Sequence, residues 1–182
     1  MSDHPTADPP SRFVEEWVAA LAPTIPAPKR ALDVAMGRGR HAVVLARAGL
    51  RVFGVDREAR AVRSAVERAA AEGLAIRGWC ADLERSGLPR SRFELVLVTR
   101  YLQRDLFGAL RDSVVPGGVL MYETFTVHQR ALGRGPTSPD HLLRPGELRD
   151  RFDGCDVLFY EEIDAPEAVA RIVARKPPCV SS

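Results

Sequence analysis

The segment DVAMGRGRH at 33–41 has residue types that can bind an adenosine-containing cofactor. Gly37 and Gly39 permit positive φ angles and let a ligand approach the backbone, and a helix starting after them would offer unpaired N–H groups. Asp56 follows Gly39 by 17 residues, at the end of the next apolar run. A carboxylate there can accept hydrogen bonds from both hydroxyls of a ribose. The spacing therefore predicts a cofactor with an adenosine end.

Three aspartates stand at the ends of successive predicted strands. They are Asp33, Asp56 and Asp82. A single aspartate at a strand end often only caps the following helix, and a glycine pair alone often only makes a tight turn. Three carboxylates at one edge indicate a site, because ligands of open parallel sheets bind outside the carboxyl ends of the strands.

A small NAD(P)-dependent oxidoreductase is the main alternative at this stage. Gly37, Gly39 and Ala42 also satisfy the dinucleotide-binding pattern G-x-G-x-x-G/A. Asp33 counts against that interpretation, because its carboxylate precedes the glycines and would stand beside a pyrophosphate. The chain is also too short for the separate substrate domain that most such enzymes carry. We therefore expect a cofactor without phosphates.

The sequence around these glycines and aspartates alternates between short apolar runs and longer amphipathic runs. This pattern is typical of a parallel sheet with helical crossovers. Strands are predicted at 31–36, 51–56, 75–82, 93–99 and 117–125, and helices at about 38–48, 57–72, 102–113 and 146–152. The runs DVLFYEEI and VARIVARK then predict an antiparallel pair. The fold class is therefore α/β, a doubly wound, seven-stranded and mostly parallel sheet with an antiparallel C-terminal strand pair.

The chain of 182 residues is expected to form one domain. Residues 1–10 and 177–182 are predicted to be tails, and the domain at 11–176 begins with an apolar-striped helix at 11–22, for which Ser11 is a plausible N-cap. The segment at 126–144 is irregular and too long for an ordinary connection, so we interpret it as a lid on the substrate side.

Composition excludes several classes of partner. The 26 basic and 24 acidic residues give a net charge of +2, which does not favour nucleic acid. No apolar run approaches the roughly 20 residues that span a bilayer. The three cysteines, Cys80, Cys155 and Cys179, are scattered, so neither a disulfide framework nor a metal site is expected. The default prediction is a cytoplasmic protein, and the sequence does not predict its oligomeric state.

Residues 30–175 resemble the class I S-adenosylmethionine-dependent methyltransferases, a family with a Rossmann-like fold. The segment 33–39 is similar to the family's acidic-x-Gly-x-Gly-x-Gly motif, with Ala35 at the first glycine and Met36 where cysteine is frequent. Residues 116–118, Pro-Gly-Gly, match the turn into the fifth strand. The resemblance implies S-adenosyl-L-methionine as cofactor and a methyl transfer of the EC 2.1.1 type. The implied cofactor-binding residues are Asp33, Ala35, Gly37, Gly39, Asp56 at the ribose, Asp82 and Leu83 at the adenine, and Thr99.

Within that superfamily, the segments at 99–107 and 122–148 look most like bacterial tellurite-resistance methyltransferases. The motif VTRY at 98–101 lacks the Asn-Pro-Pro-aromatic pattern of amino-methylating DNA enzymes. We therefore expect a small-molecule acceptor, attacked through sulfur, selenium, tellurium, oxygen or nitrogen.

Methyl transfer from a sulfonium is an in-line displacement, so the protein chiefly aligns the reactants and sometimes supplies a base. The candidates for catalysis are Tyr101 after the fourth strand, Glu123 near the end of the fifth, and His128 in the irregular segment. Each also has an ordinary structural interpretation, as a packed aromatic, a structural carboxylate and a surface histidine. A cofactor-binding module without catalysis remains a further alternative.

Overall fold

The computed structural model describes residues 9–178, and seven of its segments form a single sheet. The strands are β1 (Arg30–Val34), β2 (Arg51–Asp56), β3 (Ile76–Cys80), β4 (Phe93–Thr99), β5 (Val114–Phe125), β6 (Asp156–Ile163) and β7 (Val169–Arg175). Their order across the sheet is β3-β2-β1-β4-β5-β7-β6. The first five run parallel, and β7 pairs antiparallel with both β5 and β6. The predicted fold class is confirmed.

Helices cover both faces of the sheet, as the apolar runs of the strands require. They are α1 (Arg12–Leu21), α2 (Arg40–Arg47), α3 (Ala59–Ala71), α4 (Leu106–Ser113) and α5 (Glu147–Arg151). Buried residues of α1, α2 and α3 pack with one face of the sheet, and those of α4 and α5 pack with the other. All seven residues of β4 are buried, so this strand lies at the centre of the core.

One parallel crossover differs from the others. Helices α2, α3 and α4 each lie in the connection between two parallel strands, whereas the connection from β3 to β4, residues 81–92, contains only turns and bends. The sheet face that such a helix would cover is therefore less protected near β2 and β3.

The structure corrects two details of the sequence prediction. Helix α4 begins at Leu106, not near 102, because residues 100–105 form a bend, an irregular stretch and a turn after β4. Ser11 stands at the N-cap position of α1, but its side chain makes no cap hydrogen bond. Its hydroxyl donates instead to Glu123 Oε2 at 3.1 Å, which ties the start of α1 to the sheet.

The predicted tails fall largely outside the described residues, as do His4 and Cys179, and only Pro9, Pro10, Pro177 and Pro178 of the tails are included. Within residues 9–178, none of the helices has the length and apolar character needed to cross a membrane. That part of the chain also contains no cluster of three or more His, Cys, Asp or Glu side chains suited to a metal ion.

Candidate functional site

The carboxyl edge of the parallel strands surrounds a cavity of about 400 Å³. That volume lies near the lower end of the range typical of small-molecule sites. The cavity collects residues from the loops after β1, β2, β3 and β4 and from the segment after β5. They are Ala35, Asp56, Arg57, Ala81, Leu83, Arg100, Tyr101, Leu102, Phe125, Pro136 and His141. Four sequence-predicted site residues are therefore brought together here, namely Ala35, Asp56, Leu83 and Tyr101.

The two glycines of the loop after β1 serve different purposes. Gly37 has a φ of +55°, and a Cβ built on it would have no neighbour within 4 Å, so the backbone there faces open space. Gly39 has a φ of +76°, and a Cβ on it would lie 2.6 Å from the Cβ of Ala65 in α3. The expectation that both glycines expose backbone to a ligand thus needs correction for Gly39, whose missing side chain lets the loop pack against α3.

Asp56 is held rigidly at the end of β2. Its Oδ2 accepts a hydrogen bond from the N–H of Gly37 at 2.9 Å, and its Oδ1 accepts one from the N–H of Glu58, also at 2.9 Å. Each carboxylate oxygen retains a further lone pair, because an ionised carboxylate offers about four acceptor positions. The side chain is therefore fixed in place and still able to accept bonds from a diol.

Asp33 is an unusual titratable group, because its carboxyl is buried without a hydrogen bond of normal geometry, and it lies beside the glycine loop outside the cavity lining. The residue is 1% exposed, and neither carboxylate oxygen makes a hydrogen bond of normal geometry. Burial raises the pKa of Asp33 to about 8, an effect that the backbone of Ala42 and the charge of Arg40 only partly offset. An unpaired buried carboxylate is costly unless a cation or a donor reaches it. The ammonium group of an amino-acid moiety would supply both.

Of the two residues predicted to contact the adenine, Asp82 and Leu83, only Leu83 lines the cavity. Leu83 is buried and lines the cavity. Asp82 is exposed, lies outside the lining, and accepts a hydrogen bond from the N–H of Glu84 at its Oδ1. Leu83 is therefore the better placed of the pair to contact a base.

Thr99 belongs to a buried chain of hydrogen bonds beneath the glycine loop. Its hydroxyl lies 2.9 Å from Nδ1 of His41, whose Nε2 accepts the backbone N–H of Ser11 at 3.0 Å. Burial, reinforced by the charges of Arg40 and Arg100, lowers the pKa of His41 to about 3. The ring is neutral, so Nδ1 carries the proton and donates it to Thr99. This chain joins the starts of α1 and α2 to the end of β4.

Glu123 is engaged in a structural ion pair. It is 5% exposed, and its Oε2 accepts from Arg171 on β7 as well as from Ser11. Arg171 also donates to Glu161 on β6 at 2.8 Å, so the three strands of the antiparallel region are linked by one network. These contacts support the structural interpretation of Glu123, and its predicted role as a base gains nothing from its position.

The other two candidates for catalysis are Tyr101, which lies in the cavity lining, and His128, which lies outside it. Tyr101 lines the cavity, and burial followed by the carboxylates of Glu84 and Asp82 raises its pKa, so its hydroxyl stays protonated and donates to Gln103. His128 lies outside the cavity lining, half exposed, with Nδ1 at 2.8 Å from Asp164. Tyr101 is therefore a hydrogen-bond donor to Gln103 and is not suited to act as a base.

The irregular segment at 126–144 is anchored at both of its ends. Thr126 bridges to Leu143, and the side chain of Gln129 bonds to the backbone of Arg134 and Ala168. The segment contains two 3-10 helices, Val127–Leu132 and Pro139–His141. Only Pro136 and His141 of this segment reach the cavity.

Seven of the eleven lining residues were not among the predicted site residues, and Arg100 and His141 are two polar residues among these seven that could take part in chemistry. Arg100 directly follows β4, so the strand-end argument that found Asp56 applies to it equally. Its φ is +50°, and its guanidinium pairs with both carboxylate oxygens of Glu167. His141 carried no sequence signal, because its place depends on how the segment folds back along β5.

Comparison with known proteins gives this geometry a context. Residues 31–118 match the family model of a methyltransferase domain. Among curated proteins, no significant match was found.

Solved structures share the fold across most of the chain. TehB from Haemophilus influenzae is similar with a TM-score of 0.69 and 19% identity, over 87% of this chain and 61% of that one. An S-adenosylmethionine-dependent methyltransferase from Clostridium acetobutylicum has a TM-score of 0.73 and 12% identity, with 94% of both chains covered. The [4+2]-cyclase SpnF has a TM-score of 0.72 and 15% identity, over 97% of this chain and 85% of that one. At such identities the likeness shows the fold alone, and the chain spans less than two thirds of the length of TehB.

Proposed function

We propose that this chain transfers a methyl group from S-adenosylmethionine to a small acceptor. Two findings support the proposal: residues 31–118 match a methyltransferase domain, and the fold is that of the class I S-adenosylmethionine-dependent methyltransferases. The observation that carries the proposal is the orphaned carboxylate of Asp33 beside the glycine loop. A dinucleotide pyrophosphate would bring negative charge to that carboxylate, whereas the ammonium group of S-adenosylmethionine would compensate it. The oxidoreductase alternative is therefore not favoured.

The residues available to hold the cofactor fit its parts. Asp33 would pair with the ammonium group, Gly37 would offer bare backbone, Asp56 would accept the two ribose hydroxyls, and Leu83 would contact the adenine. When bound, S-adenosylmethionine supplies a methyl group on a sulfonium. Everything else in the reaction is left to the chain's own residues.

Those residues would act mainly by alignment and exclusion of water. Phe125, Leu102 and Pro136 give the remaining wall of the cavity an apolar character. The hydroxyl oxygen of Tyr101, whose proton is donated to Gln103, would accept a hydrogen bond that orients the acceptor. Ordered positioning of this kind contributes much of the rate in displacement reactions. A cavity of about 400 Å³ is on the scale of small-molecule sites, which supports a small acceptor.

His141 replaces His128 and Glu123 as our proposed general base. It is exposed to the cavity, whereas Glu123 is ion-paired and His128 lies outside the lining. Histidine is the side chain that most often acts as a general base, and the imidazole of His141 would accept the proton of a thiol, phenol or amine. An acceptor that is already anionic would not need it.

Two measurements test the proposal. Calorimetry should detect binding of S-adenosylhomocysteine and no binding of NADH. Transfer of labelled methyl groups to pooled thiols, chalcogen oxyanions and phenols should then identify the acceptor. For a protonated acceptor, His141→Gln should lower kcat by about 10² or more, the scale of general base catalysis.

His128→Gln is the matched control, since it makes the same change in the same segment outside the cavity and should leave kcat unchanged. Equal losses in both variants would refute the role of His141. Binding of the cofactor without turnover on any acceptor would favour the non-catalytic module.

A further inference from the structure

A second cavity, also of about 400 Å³, lies against the sheet near β2 and β3. It shares no lining residue with the cavity at the carboxyl edge. Four arginines and three aromatic side chains line it together with Pro89. We call it the arginine–aromatic cleft.

The cleft exists because the connection from β3 to β4 carries no helix. Phe53 of β2 and Trp79 of β3 are only partly buried against the core, and the ring of Phe53 meets that of Phe93 at a centroid distance of 5.7 Å. At this position a crossover helix would normally cover the strands of a parallel sheet. Here the aromatic rings remain accessible between arginine side chains.

The charges in the cleft are mostly uncompensated. Arg30 is neutralised by the buried Glu94, with Nη2 at 2.9 Å from Oε1. Arg51, Arg77 and Arg92 are exposed, and none of them forms an ion pair with an acidic side chain of residues 9–178. The guanidinium of Arg77 lies 5.7 Å from the centroid of the Phe53 ring. The cleft is thus a local positive site on a chain whose net charge is only +2.

We propose that the arginine–aromatic cleft binds a nucleoside monophosphate. Guanidinium groups recognise phosphate through paired N–H donors, and aromatic or guanidinium faces stack on nucleobases. Arg51 and Arg92 would hold the phosphate, while Phe53, Trp79 and the plane of Arg77 would take the base. An acidic peptide would satisfy the arginines and leave the rings unused.

Two other occupants fit the observations less well. A second copy of the chain in a two-fold contact would bring the unpaired arginines of both copies together, and like charges in an interface are costly. A nucleic acid strand needs a basic track that follows several phosphates, whereas these charges surround one cavity of nucleotide size.

Fluorescence of Trp79 gives a direct test. The chain has two tryptophans, and Trp17→Phe leaves Trp79 as the single reporter while keeping a ring against Phe159. The protein is first saturated with S-adenosylhomocysteine, so that the cavity at the carboxyl edge is filled, and is then titrated with UMP, AMP, inorganic phosphate and a short single-stranded oligonucleotide. Both mononucleotides should change the emission saturably and at lower concentration than phosphate does.

Substitutions in the cleft sharpen the assignment. Arg51→Gln should weaken UMP binding by about tenfold, the effect of losing one hydrogen bond to a charged group. Arg77→Gln should also weaken it, because the guanidinium plane that would stack on the base is lost. Arg63→Gln, at an exposed site on α3, is the matched control and should not change it. Calorimetry with S-adenosylhomocysteine should be unchanged in all three variants, so this measurement reports on the proposed methyl-donor site separately.

The proposal is overturned if UMP binds no better than phosphate, or if Arg63→Gln and Arg77→Gln weaken it equally. Binding of the oligonucleotide without binding of either mononucleotide would also overturn it, in favour of a nucleic acid surface.

Discussion

Two carboxylates are buried to nearly the same degree in different regions of the sheet. Asp33 lies at the carboxyl end of β1 in the parallel region and is 1% exposed, and Glu123 lies on β5 beside the antiparallel region and is 5% exposed. Glu123 is bonded to Arg171 and Ser11, whereas neither oxygen of Asp33 makes a hydrogen bond of normal geometry. Burial alone therefore does not determine whether a carboxylate is bonded within the fold.

The difference lies in what relieves the cost of burial. Around Glu123 the chain supplies its own cation, so the charge stabilises the fold by joining α1, β5 and β7. At Asp33 the cost is left in the ligand-free protein, and an external cation can relieve it on binding. This comparison predicts opposite results when the two charges are removed.

Removing the charge of Glu123 should give the largest effect. Glu123→Gln should lower the free energy of unfolding by about 3 kcal/mol, the scale for breaking a buried ion pair, because Arg171 then keeps only Glu161. Urea denaturation at neutral pH measures the change. Glu16→Gln, in the exposed pair with Arg12, is the control and should cost less than about 1 kcal/mol. A similar small loss at Glu123 would remove the contrast between the two regions.

The two glycines of the loop after β1 have different surroundings, since Gly39 packs against α3 and a Cβ on Gly37 would meet no neighbour. Gly39→Ala should destabilise the protein by about 2 kcal/mol or more, because its Cβ would meet Ala65 at 2.6 Å and adopt an unfavourable φ. Gly37→Ala should cost about 1 kcal/mol for its φ alone, and yet should weaken the binding of S-adenosylhomocysteine strongly. Thermal unfolding and calorimetry on both variants separate the two effects. If Gly39→Ala is the milder change for folding, our assignment of the glycines is reversed.

Much of the parallel region was predictable because its signals are local. Short-range patterns predicted the apolar run that becomes β1, the glycines after it and Asp56 at the end of β2. They also predicted the order of strands and helices along the chain. The partners of buried charges were not predictable in this way. Arg171 lies 48 residues from Glu123, and nothing in the local sequence pairs them. His141 reaches the cavity only because the segment at 126–144 folds back. The connection at 81–92 has no helix, and that this leaves Phe53 and Trp79 accessible is visible only in the folded structure.

Removing the charge of Asp33 should stabilise the ligand-free protein, in contrast to Glu123. Its pKa is raised to about 8 from an ordinary value near 3.9. A carboxyl with a raised pKa favours the folded state fully below about pH 4, and that contribution is lost as the pH rises through about 8. Asp33→Asn should therefore be more stable than the natural chain by about 1–3 kcal/mol at pH 8 and nearly equal to it at pH 4. A difference that does not grow with pH would show that Asp33 is not ionised within the fold.

The affinity for the methyl donor should depend on the same proton. At pH 6 the carboxyl of Asp33 is protonated, and an incoming ammonium group must first displace its proton, whereas near pH 8 half of the molecules are already ionised. The affinity for S-adenosylhomocysteine should thus rise between pH 6 and 8, by at most about tenfold per pH unit. Asp33→Asn should bind more weakly at pH 8 and lose this slope, while Glu16→Gln should keep it. If the affinity of the natural chain does not change with pH, or if Asp33→Asn keeps the full pH dependence, Asp33 does not pair with the ammonium group. Asp33 would then be a structural carboxylate, as Glu123 is.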